Sequence, residues 1–138
     1  MAIKASGKNR SNNHRQLVGQ RGEEAVCWWL KKNHFEIVEQ NWFCRAGEID
    51  IIARKDNIYH FVEIKSCCGE KRYWPEESLT AYKQYRIINT ILKYVDQKGL
   101  NDDWQLDVAL VTLNQSTGRV RIELLANHEI DEQVINSF

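Results

Sequence analysis

The chain has no apolar run long enough to span a bilayer, and its basic N-terminus lacks the apolar stretch of a signal peptide. Neither a membrane-spanning nor a secreted protein is expected, and a cytoplasmic location is the default. The four cysteines, Cys27, Cys44, Cys67 and Cys68, form no CxxC pair. That pattern indicates neither a zinc ribbon nor a disulfide framework, and the adjacent Cys67 and Cys68 cannot readily bond to each other. The histidines stand singly, none at ligand spacing from another histidine or a cysteine. Net charge is absent too, because 19 basic and 19 acidic residues cancel. The cancellation hides an uneven distribution. Residues 1–22 hold Lys4, Lys8, Arg10, Arg15 and Arg21 with no acid before Glu23, whereas eight acids face three bases from residue 96 onward. Such asymmetry suits a basic arm that touches phosphates, and equally a solvated tail.

What is present is the composition of one globular domain: 138 residues, 43% hydrophobic and 28% charged. Residues 1–13 read as a basic, flexible tail and 14–138 as a single domain. A helix is expected from about His14 to Lys32, with Val18, Gly22, Ala25, Val26 and Trp29 on one face. Glu23 falls at the edge of that face, and Glu24 points away from it. FEIVEQNWF gives a strand and Arg45-Ala46-Gly47 a bend; two strands joined at Asp56-Asn57 follow. Residues 67–77, with Gly69 and Pro75, read as a loop. A second helix follows, with Ser78 as N-cap, Gly99 as the residue that ends it, and Ala81, Ile88, Ile91, Leu92 and Val95 as its buried face. WQLDVALVTL is apolar on both sides, hence a central strand, and RVRIELL alternates as a half-exposed one. There is no internal repeat. The order α-β-β-β-α-β-β suggests a mixed sheet flanked by helices, in an α/β or α+β layer system.

The hairpin GEIDIIARKDNIYHFVEIK carries acids where burial is expected. A two-residue turn pairs Lys55 with Ile58, Arg54 with Tyr59 and Ala53 with His60, and continued arithmetic sets Asp50 opposite Glu63. Glu48 and Lys65 fall on the same face. Two carboxylates so close repel, and one would take up a proton unless a cation intervened. A hard divalent ion, Mg²⁺ or Mn²⁺, takes oxygen ligands, and the Ile64 carbonyl is a further candidate. Lys65 beside a metal-bound water suits metal-assisted phosphodiester hydrolysis. The same pattern also fits an ion-paired, solvent-facing sheet surface in which Lys65 merely neutralises Glu63.

Gly19-x-x-Gly22-Glu23, Ala25, GEID at 47–50, FVEIK at 61–65 and Lys83-x-x-Arg86-Ile87 resemble the YraN family, small bacterial proteins of the restriction-endonuclease-like, PD-(D/E)xK superfamily. The family is similar to archaeal Holliday junction resolvases. The resemblance covers about residues 17–112 and implies the α-β-β-β-α-β nuclease core with a divalent metal at the mouth of the hairpin. It implies Asp50 and Glu63 as metal-binding acids, Lys65 as the catalytic lysine, Glu23 as the helix-borne acid, and Lys83 and Arg86 as a basic pair. Lys83, Arg86, Thr90 and Lys93 align on one face of the second helix with Tyr82 beside them, a stripe suited to a phosphate backbone or to plain solvent. Departures from the family pattern are Ser66-Cys67-Cys68 after the lysine, Tyr73-Trp74-Pro75 where relatives have glycine, and Gln105-Leu106-Asp107 in place of Arg-Phe-Asp.

Three functions follow as expectations. One is a metal-dependent nuclease acting on DNA, resolvase-like, with a homodimer admitted by the resemblance. The second is a weak or inactive nucleic-acid-binding protein on a nuclease scaffold. The third is an interaction subunit using Trp28, Trp74 or Trp104.

Overall fold

A computed structural model of the chain describes residues 7–68 and 79–138, with side chains from residue 19 onward, Cys68 excepted. Helix α1 (Gly7–Lys32) is followed by β1 (Glu36–Cys44), β2 (Gly47–Lys55), β3 (Ile58–Cys68), α2 (Ala81–Lys98), β4 (Asp103–Leu113), β5 (Val120–Leu125) and the short α3 (Glu132–Ile135). The five strands form one sheet in the order β1-β2-β3-β4-β5. Only β3 and β4 run parallel, joined by the α2 crossover; the other neighbours are antiparallel. This is the mixed sheet flanked by helices that the element order suggested, consistent with a restriction-endonuclease-like core.

Each face of the sheet carries one long helix, and the side-chain period of two explains why. Ile51, Ala53, Val62, Ala109 and Val111 pack against Val26, Cys27 and Leu30 of α1. Ile52, Phe61, Leu106, Val108 and Leu110 pack on the other face against Ile87, Ile88, Ile91 and Tyr94 of α2. β4 feeds both layers because it is interior, whereas β5 is an edge strand and half exposed. The expected turn at Asp56-Asn57 is present. Both residues have positive φ, 52° and 63°, as a two-residue hairpin turn of the I′ type demands. The pairs Lys55–Ile58, Arg54–Tyr59 and Ala53–His60 form as the arithmetic requires.

Several boundaries and faces differ from expectation. α1 begins at Gly7, before His14, so part of the expected tail is helical; a polar turn shows no apolar period, yet extending a formed helix is cheap. Most of the expected 67–77 loop, including Tyr73, Trp74 and Pro75, lies outside the described residues, but β3 itself reaches Cys68. Ser78 also lies outside them. The N-cap of α2 is Thr80, whose hydroxyl accepts the Lys83 amide, while Gly99 ends the helix in the left-handed conformation as expected. Ala81 and Leu92 are exposed, and Gln84, Ile87, Thr90 and Tyr94 are buried with Ile88 and Ile91. The buried face is rotated from the expected one because it includes Gln84 and Thr90, which polarity alone directs outward. Cys27 and Cys44 carry free thiols, and the Cys67 thiol donates to Thr112 Oγ1 at 3.9 Å. Among the described residues no helix is long and apolar enough to cross a membrane.

Candidate active site

Alternation along β2 fails at one residue. Ile49 packs in the α2 layer and Ile51 in the α1 layer, although residues two apart should share a face. The strand turns over at Asp50. The flanking pairs Trp42–Ile49 and Gln40–Ile51 place Asn41 across from it, and Asn41 has a φ of 51°. The β2–β3 ladder also ends here, at Ile51–Val62. Past that point the Asp50 carboxylate accepts the Ile64 backbone N–H at 2.8 Å. Simple strand parity therefore does not place Asp50, contrary to the arithmetic. A local rotation brings its carboxylate beside Glu63.

The electrostatics follow from that position. Burial is the largest influence on Asp50, the Glu63 charge adds to it, and the Ile64 hydrogen bond opposes both; the carboxyl is pushed up from 3.8 to about 7. Burial and the Glu63 charge thus favour its protonated form. Lys65 Nζ lies 3.3 Å from Glu63 Oε1, both side chains being partly buried. Glu23 is raised as well, chiefly by burial, with a hydrogen bond to Asn41 opposing and the Asp50 and Glu48 charges reinforcing. One Glu23 oxygen is buried without a hydrogen-bond partner. Gly22 explains how α1 carries this acid so close to the sheet. A Cβ there would collide with Ser66 Oγ of β3 and touch Val111 of β4. Glu24, by contrast, is exposed and accepts from Gln20.

A cleft of about 300 Å³ opens between the hairpin and α2, lined among others by Glu48, Glu63, Lys65, Lys83, Arg86 and Thr90. The three cations named from the sequence as lysine and basic pair thus meet Glu48 and Glu63 in one place, while Asp50 and Glu23 do not line the cleft. Thr90 does not belong to an outward stripe. It is buried, its hydroxyl donates to the Arg86 carbonyl at 2.8 Å, and it abuts Gly47, where a Cβ would come within 2.8 Å of Thr90 Oγ1. The glycine of GEID therefore permits α2 to close on the hairpin. Lys93 and Arg21 are exposed and do not line this cleft.

Sequence reasoning missed one buried polar cluster. Asp107, fully buried in β4, accepts from Gln105 Nε2, from the Asn127 amide and, at 2.7 Å, from His60 Nδ1 in its N–H tautomer. Burial pushes its carboxyl up, but the bonds from His60, Asn127 and Gln105 outweigh it and hold the carboxyl below its ordinary value. The available signal was a lone acid inside WQLDVALVTL.

The profile of the uncharacterised protein family UPF0102 matches residues 22–111. The chain belongs to the UPF0102 family. This is the YraN-like group that its motifs resemble. A UPF0102 protein of Helicobacter pylori (strain HPAG1) is 42% identical over 100 residues, covering 72% of this chain and 85% of the relative. One from Campylobacter lari is 43% identical over 95 residues, 69% and 83% of the two chains. Another, from Campylobacter jejuni subsp. doylei, is 41% identical over 95 residues, with the same coverage. The UPF0102 match starts at Gly22, the close-approach glycine, and spans Glu23, Asp50, Glu63, Lys65, Lys83 and Arg86.

Among the described residues, no group of three or more His, Cys, Asp or Glu side chains that could hold a metal ion is present. The donors at the hairpin are nonetheless hard oxygens, the two repelling carboxylates of Asp50 and Glu63. Mg²⁺ keeps several waters and is commonly held by only one or two carboxylates, so this set fits it better than a softer ion.

Proposed function

We propose that this UPF0102 protein is a metal-dependent phosphodiesterase acting on DNA, an endonuclease of resolvase-like type. The observation that carries the reading is that Glu63, which interacts directly with Asp50, meets Lys65, Lys83 and Arg86 around one open cleft. Asp50 and Glu63 would hold Mg²⁺ or Mn²⁺, with the Ile64 carbonyl as a further ligand. Such an ion, when bound, supplies charge that offsets the phosphate and makes a bound water more acidic. Lys65, held against Glu63, is positioned to orient the attacking water or to steady charge on the phosphate. Glu23 adds a third carboxylate on the α1 side. Lys83 and Arg86 grip the phosphate backbone, and Arg21 adds a contact outside the cleft.

The test pairs two readouts. Mg²⁺ and Mn²⁺ are titrated calorimetrically into wild type and into an Asp50→Asn, Glu63→Gln double variant, and cleavage of labelled single-stranded, duplex and branched DNA is followed in parallel. Metal binding and cleavage that both disappear in the folded variant support the nuclease reading. A wild type that binds no metal but binds DNA in a salt-dependent manner would instead favour a catalytically silent nucleic-acid-binding module. The near-neutral net charge gives that second reading its weight.

A further inference from the structure

Of the eight large apolar side chains that are exposed among the described residues, five belong to one region, where α3 lies on α2. On α2, Tyr82 is 70% exposed, Tyr85 38% and Leu92 37%; at the end of the chain, Ile135 is 55% and Phe138 53% exposed. Successive helical positions turn by about 100°, so Tyr82, Tyr85 and Leu92 share one narrow arc of α2. That arc lies outside the one buried by Gln84, Ile87, Ile88 and Ile91. The chain end extends the surface sideways. The Tyr85 and Phe138 rings stack with centroids 5.1 Å apart and planes 13° from parallel. Val134 anchors α3 in the core, and Ile135 beside it is left exposed. None of the five side chains lines the cleft of the candidate active site.

We infer that this α2–α3 face is a self-association surface, covered by the same face of a second copy of the chain. Singly exposed apolar residues are ordinary, but an apolar patch built around stacked rings marks an interaction site. The area agrees with a protein partner. At about 200 Å² for a fully exposed large side chain, the five offer about 500 Å² per copy and about 1,000 Å² across two copies. That reaches the lower bound for a specific interface before any polar neighbour is counted. The charges agree with a second copy in particular. Exposed Lys93 and Asp96 border the patch on α2, and exposed Asp131 and Glu132 border it at the start of α3. With both signs at the rim, a two-fold arrangement can set unlike charges against each other. Basic and acidic residues cancel over the whole chain, so no long-range repulsion keeps two copies apart. Because the patch meets itself, association closes at two copies. The inference goes beyond the phosphodiesterase reading and does not depend on it.

Sedimentation equilibrium of the full-length chain tests it, run in EDTA and a thiol reductant so that neither metal nor a disulfide can link copies. Wild type is compared with Tyr82→Glu, Ile135→Glu and Phe138→Glu in the patch. Trp28→Glu and Val120→Glu, at exposed apolar positions on α1 and β5, serve as controls. Circular dichroism checks that each variant is folded, and three patch positions keep the test open should one of them fail to fold. Wild type should pass from monomer to dimer between about 1 and about 100 μM. Each folded patch variant should weaken association about tenfold or more, while the controls associate as wild type does. A wild type that stays monomeric throughout that range would overturn the inference. So would a dimer that the patch variants leave intact, one that the controls weaken equally, or species that grow beyond two copies.

Discussion

Replacing Asp50 with asparagine should stabilise the protein at mildly alkaline pH, against the usual trend for substitutions at a buried position. Burial and Glu63 raise the Asp50 carboxyl from 3.8 to about 7 in the folded chain. Between those two values the folded state holds a proton that the unfolded state has released. Stability therefore falls as pH rises through this window and levels off above it. At about 1.4 kcal/mol per pH unit the full rise corresponds to about 4 kcal/mol. Asp50 is only partly buried and Lys65 partly offsets Glu63, so about 2 kcal/mol is the figure we adopt. The asparagine side chain keeps the shape, can still accept the Ile64 amide, and removes the repulsion.

Urea unfolding in EDTA should show the Asp50→Asn variant about 2 kcal/mol more stable than wild type at about pH 8, with the difference shrinking as pH falls and vanishing only below the ordinary value of 3.8. In a chain of this length that gain should raise Tm by about 6–10 °C. Glu23 is raised for similar reasons and adds to the slope of both proteins, which is why the difference between them is the informative quantity. A variant less stable than wild type at about pH 8, or a difference independent of pH, would refute the argument that Asp50 is held against its preferred charge.

Asp107→Ala should destabilise by about 3–5 kcal/mol in denaturant titration, because His60, Gln105 and the Asn127 amide lose their common acceptor inside the sheet. Since the Asp107 carboxyl is held below its ordinary value of 3.8, its contribution is present above that pH and is lost on further acidification; wild type should be more acid-sensitive there than the variant. Gly22→Ala should cost about 1–3 kcal/mol by forcing α1 off Ser66, and thermal unfolding will show it. Thr80→Ala should cost about 1 kcal/mol and speed hydrogen exchange at the Lys83 amide, which the Thr80 hydroxyl now holds.

What could be read in advance divides by physical cause. The Asp56-Asn57 turn and the strand pairs beside it were legible because two left-handed residues at a hairpin tip leave one register. β4 was legible as a central strand because it is apolar on both faces. The outer turns of α1 were not, since residues 7–13 have no apolar period to announce them. The burial of Gln84 and Thr90 was hidden for a related reason. Each is polar, and each is satisfied by a partner no periodicity reveals: Gln84 donates to the Leu79 carbonyl and accepts the Asp131 amide, and Thr90 donates to the Arg86 carbonyl. Asp107 is the extreme case, because its partners come from the neighbouring strand and from the segment after β5.

The candidate site was half legible in an instructive way. Hairpin arithmetic set Asp50 opposite Glu63, but the assumption behind it, an unbroken alternation through β2, fails at Asp50 itself. The acids meet because β2 turns over there, with left-handed Asn41 across the ladder and Gly47 letting α2 press on the hairpin. A regular strand would have kept the ladder intact and spared the sheet an unwanted charge. The irregularity instead ends the pairing where the Asp50 carboxylate takes an amide, and it places that carboxylate against Glu63. Local rules broken at one point while the surrounding layers stay regular mark strain held for a purpose other than folding. That Asp50→Asn should make the fold more stable is the thermodynamic expression of the same fact: the residue that the fold accommodates least is the one held against Glu63, the acid that lines the cleft.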